Sequence, residues 1–108
     1  MSLKIVYTTL PSAAAAEDIA RALVEARLAA CGNILPGHVS IYEWDGRLER
    51  TQEAVLLLKT TAAAAPALMA ALKAAHPYEV PAILLLPVEA ADAAFAAWVA
   101  SQTTSAAN

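Results

Sequence analysis

Apolar and polar positions along the chain fall into stretches of strand-like and helix-like period. Leu3 to Thr9 is short, apolar and rich in β-branched residues, the pattern of a strand. Pro11-Ser12 breaks it, and Ser12 stands where an N-cap is wanted, with Glu17 and Asp18 early in the stretch that follows. Ile19, Leu23 and Ala26/Arg27 recur at helical spacing beside Ala22, Ala29 and Ala30, which predicts a helix running to about Ala30 and stopped by Gly32. Asn33 to Trp44 is extended, with a kink or bulge at Pro36-Gly37, and Val39 to Trp44 alternates. Asp45-Gly46 is a two-residue hairpin turn, and Leu48 to Thr60 returns as a second long arm. Arms of about ten residues each exceed the usual strand of five or six.

Thr61 to Ala75 carries a bulky stripe of Leu68, Met69 and Leu72 and predicts a second helix, started by Thr60 or Thr61 or by Pro66 in its first turn. Ala82 to Val88 is a fourth strand. Asp92 caps a third helix with Phe95, Trp98 and Val99 on its apolar face, and residues 101–108 form a small, polar, frayed tail. Strand, helix, strand, strand, helix, strand and an extra C-terminal helix is the α+β, ferredoxin-like βαββαβ order, as one domain over residues 1–108.

Two strands break the alternation expected of a sheet with one wet face. Ala54 to Leu58 and Ile83 to Leu86 are apolar at consecutive positions, and neighbouring side chains on a strand point to opposite faces. Helices on one face leave the other uncovered, so the pattern calls for a second copy of the chain. Tyr42 and Trp44, near the hairpin tip, are placed to reach it.

Composition narrows the function classes. Hydrophobic residues make up 59% of 108, but 29 are alanine, so the core is of modest bulk. Seven basic against ten acidic residues leave a net charge of −3, and no basic cluster recommends nucleic acid or an anionic membrane. No apolar run approaches the roughly 20 residues that span a bilayer, and the start of the chain lacks a signal-peptide layout. One cysteine excludes an internal disulfide. A cytoplasmic protein is expected.

The chemistry-bearing residues gather in His76-Pro77-Tyr78-Glu79-Val80-Pro81, where two prolines stiffen a connector between a helix and a strand. His76 reads either as a helix-exit cap or as a functional side chain on a rigid loop. Cys31 reads either as a soft metal ligand or as a small buried apolar residue. Lys59 ends an apolar strand, as an ordinary strand-end lysine or as a partner of Glu79 or Glu53. The acidic residues of the hairpin, Glu43, Asp45, Glu49 and Glu53, read as its solvated side. There is no Cys-x-x-Cys, no His-Glu-x-x-His, no Gly-x-Ser-x-Gly and no glycine-rich phosphate loop, so neither a local metal site nor an enzyme is expected.

Taken together, Leu28-Ala29-Ala30-Cys31, Asn33-Ile34-Leu35-Pro36-Gly37, Ser40-Ile41-Tyr42-Glu43-Trp44-Asp45-Gly46, Leu58-Lys59-Thr60-Thr61, His76 to Pro81 and Leu86-Pro87-Val88 resemble the CutA family of divalent-cation tolerance proteins, in order and spacing over nearly the whole chain. Ala75 stands where members often carry a further histidine, and Thr8-Thr9-Leu10-Pro11 lacks a cysteine that some members have. The resemblance implies a homotrimer similar to PII-type signalling proteins. It also implies tolerance to, and binding of, Cu²⁺ or other divalent metal ions, without an organic cofactor. By position it makes Cys31, His76 and Glu79 the metal ligands and sets Tyr42, Trp44, Lys59 and Tyr78 along a cleft between subunits. The alternative is a PII-like regulatory trimer that binds a small molecule or protein in those clefts, with metal effects indirect.

Overall fold

A computed structural model describes residues 2–104, and its elements follow the order β1 (Leu3–Leu10), α1 (Ala13–Glu25), β2 (Cys31–Trp44), β3 (Arg47–Thr61), α2 (Ala65–Ala75), β4 (Ile83–Pro87) and α3 (Ala93–Gln102). The four strands form one sheet in the order β2-β3-β1-β4, with every neighbouring pair antiparallel. The α+β, ferredoxin-like arrangement read from the sequence is the one observed.

Register divides the sheet into two faces. Val6, Thr8 and Leu10 of β1 lie opposite Leu58, Leu56 and Ala54 of β3, and this face is fully buried beneath Ala16, Ala20 and Leu23 of α1 and Leu68 and Leu72 of α2. Ile5, Tyr7 and Thr9 with Val55, Leu57 and Lys59 point the other way. On that open face Leu84 and Leu35 remain 53% and 52% exposed. α3 closes one end of the sheet, burying Val99 against Leu3 and Ala30, while Phe95 and Trp98 stay partly exposed.

Local chemistry sets the element ends. Ser12 Oγ accepts from the Ala15 amide at 3.1 Å and caps α1, and Asp92 Oδ2 accepts from the Phe95 amide at 3.0 Å and caps α3. α1 ends at Glu25 instead of near Ala30. Arg27 takes the left-handed conformation (φ 61°), the Arg27 amide donates to Val24 O and the Leu28 amide to Leu23 O, which is a Schellman stop. Gly32 is therefore no terminator. It lies in β2 on the helix-covered face, where a Cβ would stand 3.2 Å from Ala20 Cβ, Leu56 Cδ1 and Leu58 Cδ2. The hairpin arms reach 14 and 15 residues, longer than alternation indicates, and Asp45 and Gly46 both have positive φ, as a type I′ turn requires. β3 runs on to Thr61, so α2 begins only at Ala65 with Pro66 in its first turn. Ser101 and Gln102, read as frayed tail, complete α3, and positions 105–108 lie outside the described residues.

Pro36-Gly37 is a bulge. Leu35 pairs with Val55 but His38 pairs with Glu53, so β2 spends one residue more than β3 between those pairs. Before the bulge the odd-numbered residues of β2 face the open side. Beyond it the even-numbered ones, His38, Ser40, Tyr42 and Trp44, do so.

Candidate functional site: a carboxylate-centred cleft

The switch of parity brings Ser40, Tyr42 and Trp44 of β2 onto the same side as Thr51 and Glu53 of β3 and Tyr7 and Thr9 of β1. The connector Pro77 to Ala82, stiffened by its two prolines, runs along their edge and closes a cleft of about 680 Å³. Glu53 is its centre. Tyr78 Oη donates to Glu53 Oε2 at 2.7 Å and Ser40 Oγ donates to Glu53 Oε1, with the Thr9 side chain near enough to stabilise the charge further. Burial by itself pushes the Glu53 carboxyl up, but the hydrogen bonds from Ser40 and Tyr78, the Thr9 side chain and the nearby His38 outweigh it and hold the group below the usual glutamate value. The Tyr78 phenol is pushed far above its ordinary range by burial and by the Glu53 carboxylate that accepts its proton. Thr51 Oγ1 is buried along the same wall without a hydrogen-bond partner.

His76 supports this cleft from behind. It leaves α2 in an extended conformation (φ −70°, ψ 134°) and is 9% exposed. Its Nδ1 accepts from the Tyr78 amide at 3.2 Å, which assigns the ring proton to Nε2. Nε2 lies 3.0 Å from Thr9 O and 2.9 Å from Thr8 Oγ1 and shares its proton between them. Burial pulls the His76 pKa below its ordinary value, so the ring is neutral at neutral pH. The imidazole thus fixes the Tyr78 backbone while its ring packs 5.1 Å from the Tyr78 ring.

The three residues assigned as metal ligands are not brought together. Cys31 is half-buried on the open face, opposite Lys59. His76 is bonded to Thr8 on the covered face with both ring nitrogens engaged. Glu79 is exposed and lines both the cleft and a smaller hollow of about 550 Å³ beside Met69 and Lys73. Among the described residues, no group of three or more His, Cys, Asp or Glu side chains is gathered around a point that would hold a metal ion. The cation set read from the sequence does not fit a single chain.

Tyr42, Trp44 and Tyr78 line the cleft, and Lys59 does not. Lys59 stands six residues from Glu53 along β3, roughly 20 Å at strand rise, and forms no ion pair with Glu53 or Glu79. Glu53 itself corrects the reading of the hairpin acids as a solvated side. Its neighbours Thr9 and Tyr78 come from 44 and 25 positions away, and only the folded sheet reveals them. The available signal was its place on the face shared with Ser40 and Tyr42, which depends on recognising the bulge. What the arrangement offers chemically is a fixed anion in a partly apolar, aromatic-walled cleft.

Comparison with known proteins places this geometry in a wider set. The CutA1 divalent ion tolerance protein family matches residues 4–102. The divalent-cation tolerance protein CutA of Thermus thermophilus is 47% identical over 100 residues, covering 93% of this chain and 97% of that one. Protein CutA of Mus musculus is 41% identical over 107 residues, covering 99% of this chain but 60% of the longer mouse protein. The crystal structure of CutA from Xylella fastidiosa superposes with a TM-score of 0.93 at 38% identity, covering 96% of this chain and all of that one.

Proposed function

The chain belongs to the CutA1 divalent ion tolerance protein family, and from that membership we propose that it serves divalent-cation tolerance as a homotrimer that meets Cu²⁺ or another divalent cation with donors from more than one subunit. The observation that carries this reading is the scatter of Cys31, His76 and Glu79 within one chain. A cation site in such a protein needs a second copy to complete it. Association is supported by large apolar side chains left bare, Ile41 at 67% and Leu48 at 78% on the hairpin and Leu84 on the open sheet face. The protein is a binder in this reading and not a catalyst.

The test is calorimetric titration of metal-stripped protein with Cu²⁺ and Zn²⁺, with mass measured by light scattering in the same buffer. Saturable uptake at a whole-number ratio by a trimer, weakened at least tenfold in Cys31→Ser or Glu79→Gln, supports the reading; tenfold is about 1.4 kcal/mol. A monomer, or uptake that never saturates, overturns it.

The cleft favours a second reading, a PII-like regulatory trimer whose clefts take a small molecule. A volume of about 680 Å³ is within the range of small-molecule sites. Its walls combine aromatic surface with few, well-placed polar groups, as such sites do.

A further inference from the structure

Glu53 is an anion whose cross-strand neighbour is His38, and no ion pair joins the two among the described residues. Its carboxylate is fixed by hydroxyl donors that stabilise the charge without neutralising it. No lysine or arginine lines the cleft. Among the described residues the ion pair formed joins Arg21 to Glu17 on α1, away from this site. Glu79, which lines the same cleft, adds a second negative charge. A fold that needed only a hydrogen-bond acceptor at position 53 would be served by a neutral glutamine. Two hydroxyls bonded to a carboxylate in a half-covered place make a counter-ion site.

The walls specify which cation. Tyr7, Tyr42, Trp44 and Tyr78 line the cleft around the carboxylate, with Trp44 60% and Tyr42 42% exposed in the single chain. Aromatic faces are negative and attract cations, and they do so best with large, weakly hydrated ones. A hard dication wants six or more oxygen donors, whereas both Glu53 oxygens here are already engaged by Ser40 and Tyr78 and the other carboxylate, Glu79, is exposed. A neutral or anionic guest would leave Glu53 unanswered. Thr51 Oγ1, buried and unpartnered on the cleft wall, is a remaining polar group for a hydroxyl or N–H of the same guest.

We infer that the Glu53 cleft binds an organic ammonium group, with the Glu53 carboxylate as its counter-ion and the Tyr42 and Trp44 rings against its alkyl shell. The inference rests on the small-molecule reading of the cleft and names its ligand class.

The experiment is calorimetric titration of the full chain, metal-stripped and in its native assembly, with choline and with 3,3-dimethylbutan-1-ol, the uncharged molecule that has carbon in place of the choline nitrogen. Choline should bind saturably and at least tenfold more tightly than the alcohol. Glu53→Gln and Trp44→Leu should each weaken choline at least tenfold, with subunit mass and circular dichroism unchanged. The second variant keeps the test decisive if Glu53→Gln disturbs the Tyr78 connector. Equal affinity for choline and the alcohol would overturn the cationic class and leave a small-molecule cleft standing. Choline binding that survives both substitutions would overturn the assignment to this site. Failure of choline to bind would overturn the inference, and the small-molecule reading would then stand or fall on whether other classes of ligand bind.

Discussion

His76 is neutral because each ring nitrogen already has a role, and that role has a pH signature. Protonation would put a second N–H at Nδ1, facing the Tyr78 amide that donates to it. The unfolded chain takes up this proton near the ordinary histidine value of about 6.5, while the folded chain does so only at a lower pH. Between those values the unfolded state binds more protons. Stability should therefore fall as pH drops from 7 through the ordinary value, and stop falling below His76's own. His76→Gln should cost about 2 kcal/mol at pH 7 through unsatisfied buried partners and should remove this slope; urea midpoints at pH 7.5 and 5.5 would reveal it. Glu53 acts in the same sense, in a more acidic window. Its folded value lies below the ordinary one, so its contribution is present at neutral pH and lost as pH falls through that lower value. Tyr78→Phe should raise the Glu53 pKa toward the ordinary range, visible by carboxyl-carbon NMR, and cost about 1 kcal/mol at pH 7. His76 and Tyr78 stood out in the sequence because they flank Pro77 on a connector closed by Pro81. Glu53 did not, since one carboxylate on an alternating strand looks like any other until distant hydroxyls converge on it.

Among the elements, the order of strands and helices was legible from periodicity and turn chemistry, while the ends were not. Alanine fits helix and connector alike, so the run past Glu25 carried no sign of a stop, and the one glycine nearby took that role on paper. The stop is Arg27, in a conformation that costs a side-chain-bearing residue about 1 kcal/mol. Arg27→Gly should raise stability by about 0.5 kcal/mol, the relief being partly offset by glycine's greater freedom when unfolded. Gly32→Ala should act in the other direction. Its new methyl meets a rigid Ala20 Cβ as well as two leucine side chains, and crowding of that kind costs roughly 1–2 kcal/mol. Thermal unfolding of the two variants should thus shift in opposite directions. If alanine at position 32 were neutral, the close passage of β2 over α1 would not be what selects glycine there.

At the scale of the molecule, the chain is longer than its size demands. Its dimensions are 44 × 26 × 23 Å with a radius of gyration of 14.4 Å, against about 13 Å for a compact domain of this length. The excess is the hairpin, whose far half extends past the helices and carries apolar residues on both of its faces, Ile41 and Leu48 on one and Tyr42 and Trp44 on the other. The broken alternation in the sequence pointed to a partner, but no pattern in one chain encodes how copies meet. Ile41→Asp separates the cases. In a lone chain a substitution at a residue 67% exposed should change stability by no more than about 0.5 kcal/mol. In the proposed trimer it should lower the mass seen by light scattering and drop the melting temperature by several degrees. The bulge at Pro36-Gly37 governs everything beyond it by counting. It works on the arm as a reading frame works on codons: delete one residue there, and Ser40, Tyr42 and Trp44 keep their identities but exchange places with Val39 and Ile41, leaving Glu53 to face aliphatic carbon. Length at positions 36 and 37 therefore sets the frame, and Gly37, at φ 72°, holds the backbone turn that carries the extra residue.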